Sequence, residues 1–151
     1  MSDYLLKIND ISASYGDEDI VKRVSFSMLP GEIVCIVGES GSGKSTLIKA
    51  IHGMSDLKIT GGSIVFDGTD ITSVPAKDRR KLMGSGIGLI PQNPGASFYP
   101  IRKLDAQFRE SLAAHNMPYD ENRIDDMLRI IGLQHGKSVL KNRPFELSGG
   151  M

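Results

Sequence analysis

A glycine-rich loop, placed between an apolar run and a helical pattern, constrains this chain more than any other feature. The apolar run is Ile33-Val34-Cys35-Ile36-Val37, the loop is Gly38-Glu39-Ser40-Gly41-Ser42-Gly43-Lys44-Ser45-Thr46, and Leu47-Ile48-Lys49-Ala50-Ile51-His52 follows. The loop fits the pattern G-x-x-x-x-G-K-[ST], which is credible when a strand precedes it and a helix follows it. The sequence therefore predicts a phosphate-binding loop on an α/β fold.

The residue types of this loop suit an anionic ligand. Gly38, Gly41 and Gly43 allow positive φ and a close approach, so that successive N–H groups can point at phosphate oxygens. The helix that begins near Gly43 adds the positive end of its dipole. Lys44 is expected to reach the β- and γ-phosphates, and the Ser45 hydroxyl is expected to ligate Mg²⁺. Ser40 and Thr46 complete the predicted nucleotide-binding set of the loop. A chance Gly/Ser-rich turn is the alternative, and the preceding apolar run argues against it.

Composition narrows the classes of partner. The 151 residues include 18 basic and 18 acidic side chains, so that the net charge is zero and no global field attracts nucleic acid or an anionic membrane. No apolar run approaches the length of a membrane span, and the N-terminus lacks a basic segment followed by an apolar core. The single cysteine, Cys35, lies in the apolar run and is predicted to be a buried small hydrophobe. We therefore expect a cytoplasmic protein with no direct membrane insertion and no nucleic-acid partner.

The first part of the chain predicts an antiparallel layer ahead of the loop. A strand from Leu5 to Tyr15 is expected to bulge near Asn9-Asp10, and the alternation of Val24, Phe26 and Met28 indicates a half-buried strand. The run from Ile33 to Val37 is expected to be a central strand, covered on both faces. After the loop, the helix is predicted to stop at Gly53, and a hairpin is predicted to turn at Asp67-Gly68.

The second part changes character. A short helix is expected after Pro75 and an apolar strand from Ile87 to Ile90, followed by an irregular segment with three prolines from Pro91 to Pro100. Helical patterns then cover 101–115, 122–131 and a short stretch between 134 and 140, and the second of them places Ile124, Met127, Leu128 and Ile131 on one face. This pattern predicts two domains: an α/β nucleotide-binding core with an antiparallel β subdomain over 1–100, and a helical subdomain over 101–151.

Three further features carry a resemblance to a known family. The motif Leu147-Ser148-Gly149-Gly150, the residue Gln92 after a short predicted strand, and Tyr15 ahead of the phosphate loop together resemble the signature motif, the Q-loop and the adenine-stacking aromatic of ABC transporter ATP-binding subunits. The segment from Pro91 to Pro100 is similar to the oligopeptide, dipeptide and nickel importer branch, although Phe98-Tyr99 departs from the residues usual there. The resemblance implies a P-loop NTPase (RecA-like) core with an N-terminal antiparallel β subdomain and an α-helical subdomain.

The resemblance also implies how such a chain acts. ATP would lie on the phosphate loop with its base on Tyr15, and Ser148, Gly149 and Gly150 of a second ATP-binding subunit would close over the γ-phosphate. Gln92 would reach Mg²⁺ or the attacking water. The resemblance thus gives Lys44, Gln92 and Ser148 catalytic roles and gives Ser45 and Gln92 metal-binding roles. Its expected partners are a second ATP-binding subunit and membrane-spanning permease subunits at the inner face of the cell membrane.

The family places its Walker B strand, catalytic Glu and switch His after the signature motif. We therefore expect an N-terminal fragment that binds ATP without hydrolysing it efficiently and that exposes apolar residues around Ile33 to Val37. Two alternatives stay open at this point. The first is an ATPase of the same superfamily that acts in translation or DNA repair, against which the lack of a long coiled-coil pattern argues. The second is a module that holds nucleotide without turnover.

Overall fold

The chain folds into two compact units. The computed structural model describes residues 3–54 and 56–148, and its contacts separate a first unit, Met1–Gly88, from a second, Leu89–Met151. The assignment of functional domains to 1–100 and 101–151 stays a prediction. In the first unit the elements are β1 (Leu6–Ser14), β2 (Asp19–Met28), α1 (Lys44–His52), β3 (Lys58–Phe66), β4 (Thr69–Asp70) and α2 (Ala76–Leu82).

The first unit is built on an antiparallel sheet in the order β2-β1-β3-β4. The expected irregularity of β1 is confirmed, because its register with β2 shifts between Ile8 and Ile11, and Asp10 has a φ of 46°. Gly62 of β3 faces this bulge with a φ of 81°, and a Cβ there would lie 2.3 Å from the Asn9 carbonyl oxygen. Glycine at position 62 therefore allows two irregular strands to pair at the centre of the sheet.

Helix α1 follows the loop and packs its inner face onto the sheet. Its buried residues, Leu47, Ala50 and Ile51, join the apolar core of the first unit with strand residues such as Ile8 and Ile64. The predicted stop is confirmed, because Gly53 has a φ of 76° and its N–H donates to the carbonyls of Lys49 and Ala50. The predicted hairpin is also confirmed, since β3 and β4 pair at Phe66 and Thr69.

A guanidinium covers the carboxyl end of α1. Arg79 of α2 donates from Nη2 to the Ala50 carbonyl oxygen at 2.7 Å and lies against Gly53. Burial lowers the pKa of Arg79, while the charge of Asp70 acts in the opposite direction. Because the last carbonyls of a helix carry partial negative charge, this contact satisfies one of them and compensates the dipole at that end.

Two predicted strands are absent from the described residues. Residues 33–37 form no strand, and Ile33 and Val37 are 89% and 88% exposed, so that the prediction of a strand covered on both faces is wrong. Cys35 is exposed rather than buried for the same reason. The stretch from Ile87 to Ile90 makes one isolated bridge, between Met83 and Ile87. A β-strand needs backbone hydrogen bonds to a neighbouring strand, and no described segment pairs along the length of either apolar stretch. The expected exposure of apolar residues around 33–37 is confirmed.

The second unit is helical, as the sequence predicts. It contains a 3₁₀ turn (Pro94–Ser97) in the proline-rich segment, helices α3 (Leu104–Ala114), α4 (Glu121–Ile130) and α5 (Gly136–Lys141), and a second 3₁₀ turn (Pro144–Glu146). Its apolar core joins Leu104, Ile124, Leu128, Val139 and Leu140. The predicted buried face of α4 is therefore only half right, because Met127 and Ile131 are 59% and 72% exposed.

Asp125, rather than Met127 or Ile131, is buried beside Ile124 and Leu128 on α4. It is 4% exposed, accepts the Lys137 N–H at 2.9 Å near the start of α5, and pairs with Arg129 at 2.7 Å. Gly136 makes room for the carboxylate, since a Cβ there would lie 2.6 Å from Asp125 Oδ1. Contacts with α5, the next helix in the chain, thus help to determine which residues of α4 are buried. Across residues 3–54 and 56–148, no helix has the length and apolar character that crossing a membrane requires.

Candidate functional site: the glycine-rich loop and its surroundings

The loop leads from an extended segment into the first turn of α1. Gly43 is the N-cap residue of α1 with a φ of 90°, and Gly41 has a φ of 83°. A Cβ at Gly43 would lie 3.1 Å from the Ile20 carbonyl oxygen, because the loop passes close to the start of β2. Glycine is needed at position 43 for its backbone conformation and also for this close approach.

The first amides of α1 are open. The earliest turn closes with the Leu47 N–H on the Gly43 carbonyl at 2.9 Å, and the amides of Lys44, Ser45 and Thr46 find no backbone acceptor in the described part of the chain. No side chain of the described residues caps this end. Free N–H groups and the positive end of the dipole therefore converge where the loop meets the helix.

Lys44 folds back over the loop. Its Nζ donates to the Gly38 carbonyl at 2.8 Å, to the Glu39 carbonyl at 2.5 Å and to Ser42 Oγ at 3.4 Å. These three contacts hold the ammonium against the backbone of the loop. Within the loop, the Ser42 N–H donates to the Glu39 carbonyl at 3.3 Å and closes a turn. The loop itself thus fixes the position of the Lys44 ammonium.

The other predicted loop residues differ in accessibility. Ser40 and Ser45 are exposed, so that a ligand can reach these residues, whereas Thr46 is 7% exposed. A cleft of about 270 Å³ lies beside the loop, lined by Ile20, Lys22, Ser42, Gly43 and Lys44 among others. The donor set of open amides, one ammonium and an exposed hydroxyl fits a nucleotide phosphate with bound Mg²⁺.

Tyr15 follows β1 directly and is 45% exposed. The Lys49 ammonium of α1 lies 5.2 Å from the centroid of its ring, and Asp56 lies 3.6 Å from that ammonium. Sequence reasoning missed both Lys49 and Asp56. A signal was present for Lys49 alone, since it lies on the same helix as Lys44, five residues further on.

The remaining predicted residues belong to the second unit. Gln92 and Ser148 are exposed, and Ser148 lies at the rim of a cleft of about 410 Å³ whose walls include Phe98, Phe108 and Leu133. Gly149 and Gly150 lie outside the described residues. The structure therefore brings together the residues of the loop in the first unit, and Gln92, Ser148, Gly149 and Gly150 stay separate predictions.

The geometry of the loop and α1 defines the chain as a phosphate-binding-loop protein of α/β class. The family model described as "ABC transporter" matches residues 21–151, and the chain belongs to this family. The fold class predicted from the sequence is confirmed by that match and by the structural neighbours given below.

Three relatives are named as ATP-binding proteins of transport or import systems. The chain is 36% identical to the dipeptide transport ATP-binding protein DppD of Escherichia coli, over 97% of this chain and 48% of the relative. It is 38% identical to the oligopeptide transport ATP-binding protein OppD of Lactococcus lactis, over 85% of this chain and 39% of the relative. It is 32% identical to the metal-staphylopine import system ATP-binding protein CntD of Staphylococcus aureus, over 93% and 54%. The chain thus spans about half the length of the relatives it matches, and the predicted importer branch is confirmed.

Solved structures agree with the fold. A structure titled as the ATP-binding subunit of an ABC transporter superposes with a TM-score of 0.75 at 28% identity, covering 97% of this chain and 57% of the other. The structure of cbiO1 from Clostridium perfringens, titled as part of the ABC transporter complex cbiONQ, superposes with a TM-score of 0.69 at 28% identity, covering 99% and 57%.

Proposed function

We propose that this chain forms the nucleotide-binding part of an ABC importer subunit that couples ATP to the uptake of peptides, nickel or a similar small solute. The observation that carries the proposal is the loop itself: Lys44 is already held over the loop, beside amides of α1 that donate to no described carbonyl. Relatives named for dipeptide, oligopeptide and metal-staphylopine transport support the solute class.

Each loop group has a defined task in this proposal. The open amides and Lys44 bind the β- and γ-phosphates, and the exposed Ser45 hydroxyl ligates Mg²⁺, which when bound neutralises charge on the phosphates. Tyr15 carries the base on its exposed ring. Gln92 reaches the metal or the attacking water, and Ser148, Gly149 and Gly150 act on a nucleotide held by a second ATP-binding subunit. The importer then works at the inner face of the cell membrane, on membrane-spanning permease subunits.

Nucleotide titration tests the site. Isothermal calorimetry with ATP and Mg²⁺ is expected to show at least about ten-fold weaker binding for Lys44→Ala, since a hydrogen bond to a charged group contributes roughly 1.5 to 3 kcal/mol. Lys7→Ala removes an exposed charge from β1 instead and is expected to bind as the parent chain does. Equal affinities of the parent chain and Lys44→Ala would refute the site.

Turnover and partners need separate measurements. We predict that this chain alone hydrolyses ATP poorly. Phosphate release, measured alongside ATP binding, tests this prediction. Copurification of two membrane-spanning permease subunits with the whole protein would support the importer. Recovery with ribosomes or DNA would instead favour the alternative, an ATPase of the same superfamily in translation or DNA repair.

A further inference from the structure

Three charged and aromatic side chains meet at the end of β1, and we call them the Tyr15 cluster: Tyr15, Lys49 and Asp56. The Lys49 ammonium lies 5.2 Å from the centroid of the Tyr15 ring, within the range of a cation–π contact. Asp56 Oδ2 lies 3.6 Å from the same ammonium. Hydrogen bonding to the Tyr15 side chain, ahead of the charge of Asp56, raises the pKa of Lys49 above its ordinary value. Lys49 is therefore a cation that contacts both partners.

The backbone around Tyr15 is fixed, whereas its ring depends on side-chain contacts. Ser14 is 1% exposed and donates from Oγ to the Gly16 carbonyl at 2.9 Å, which holds the chain on either side of Tyr15. Tyr15 as a residue is 45% exposed, so that part of its side chain faces solvent rather than packed neighbours. Lys49 supplies a contact from a rigid helix to a ring that would otherwise turn more freely.

Helix α1 joins this contact to the phosphate loop. Lys44 is its first residue and Lys49 lies five residues later, about 7.5 Å further along the axis at 1.5 Å per residue. A nucleotide needs its phosphates and its base held at a fixed spacing. One helix therefore sets the position of the phosphate-binding ammonium and of the ammonium that contacts Tyr15.

We propose that Lys49, anchored by Asp56, is a positioning residue that holds the Tyr15 ring ready to stack on the base of the nucleotide. The proposal rests on the proposed function, because it assumes that Tyr15 carries the base. It predicts that Lys49 contributes to the binding of ATP through Tyr15 and contributes nothing to the binding of a ligand without a base.

The alternative roles of Lys49 make different predictions. A cation that attracts phosphate by charge would strengthen inorganic triphosphate and ATP alike. A residue needed only for folding would weaken both ligands and lower the stability of the chain. Neither alternative depends on whether Tyr15 is present.

A double-mutant cycle distinguishes these roles. Calorimetric titrations with Mg²⁺–ATP and with Mg²⁺–triphosphate are made for the parent chain, Lys49→Met, Tyr15→Ala and the double variant, with Lys49→Arg to restore the cation and Lys7→Met as a matched exposed control. We expect Lys49→Met to weaken ATP about two- to five-fold, the range of an exposed cation–π contact, and to leave triphosphate unchanged. In the Tyr15→Ala background the same change should have no effect, and Lys49→Arg should bind ATP as the parent chain does.

Three results would overturn the proposal. Equal losses for ATP and triphosphate would assign Lys49 to charge or folding, and an undiminished loss in the Tyr15→Ala background would separate Lys49 from the ring. If Tyr15→Ala binds ATP as tightly as the parent chain, the ring does not carry the base and the proposal fails with it. The phosphate site is judged independently, because Lys44→Ala affects triphosphate as well as ATP.

Discussion

Replacing Gly43 with alanine tests whether the loop approaches β2 as closely as the structure shows. Gly43 and Gly41 have similar left-handed backbone conformations, with φ of 90° and 83°, but their surroundings differ. A Cβ at Gly43 would lie 3.1 Å from the Ile20 carbonyl oxygen, whereas a Cβ at Gly41 would have nothing within 4 Å. Gly41→Ala is therefore a matched control that adds the conformational cost without the steric one.

The expected magnitudes follow from these two terms. A non-glycine residue in the left-handed region costs about 1 to 2 kcal/mol, and we expect this loss in the free energy of unfolding for Gly41→Ala. Gly43→Ala must also move a backbone carbonyl by a few tenths of an ångström, and such overpacking adds about 1 kcal/mol or more. Urea unfolding followed by circular dichroism measures both variants. Losses that agree within about 0.5 kcal/mol would contradict the close approach of the loop to Ile20.

Two further changes probe the second unit. Asp125→Ala leaves the Lys137 N–H and Arg129 without their buried acceptor, so that urea unfolding should show a loss of about 1 to 3 kcal/mol in the free energy of unfolding. The control Asp126→Ala removes the exposed neighbouring carboxylate and should cost under about 0.5 kcal/mol. Equal losses would contradict the buried role of Asp125. Hydrogen bonds from Tyr119, and then from Arg109, hold the pKa of Asp105 below its ordinary value of 3.8. A depressed carboxyl pKa stabilises the fold above the unfolded-state pKa, and this contribution is lost as the pH falls through the folded-state value. The urea midpoint of the parent chain should therefore exceed that of Asp105→Asn at pH 6, and the difference should shrink below about pH 4; a difference independent of pH would refute this assignment.

The structural features that were predicted correctly from the sequence are those that a few consecutive residues determine. Asp67-Gly68 turns the hairpin because both residues accept positive φ, at 45° and 76°, and Gly53 ends α1 because it adopts the left-handed conformation of a helix C-terminus. The backbone of the glycine-rich loop belongs to the same group, since Gly41 and Gly43 adopt the expected positive φ, at 83° and 90°. Predictions of this kind need no knowledge of what lies elsewhere in the chain.

The features that sequence missed depend on distant residues. The apolar pattern of residues 33–37 indicates a strand, but pairing requires a neighbour that the pattern does not contain. On α4, Asp125 is buried because the N–H of Lys137 and the bare backbone of Gly136 meet it, and neither can be read from the period of α4 itself. The contact of Lys49 with Tyr15 likewise joins a helix to the end of a strand 34 positions earlier in the sequence.

The exposed stretch ahead of the loop has a consequence for handling the protein. Residues 33–37 combine β-branched and apolar side chains without charge or proline, and Ile33 and Val37 are almost fully exposed. Such a segment pairs readily with the same segment of another molecule and so promotes aggregation. Glu32 precedes it and Glu39 follows it after Gly38, and carboxylates at such borders oppose the stacking of copies by mutual repulsion. The solubility of this chain is therefore expected to depend on two carboxylates at the borders of the segment that presents the phosphate loop.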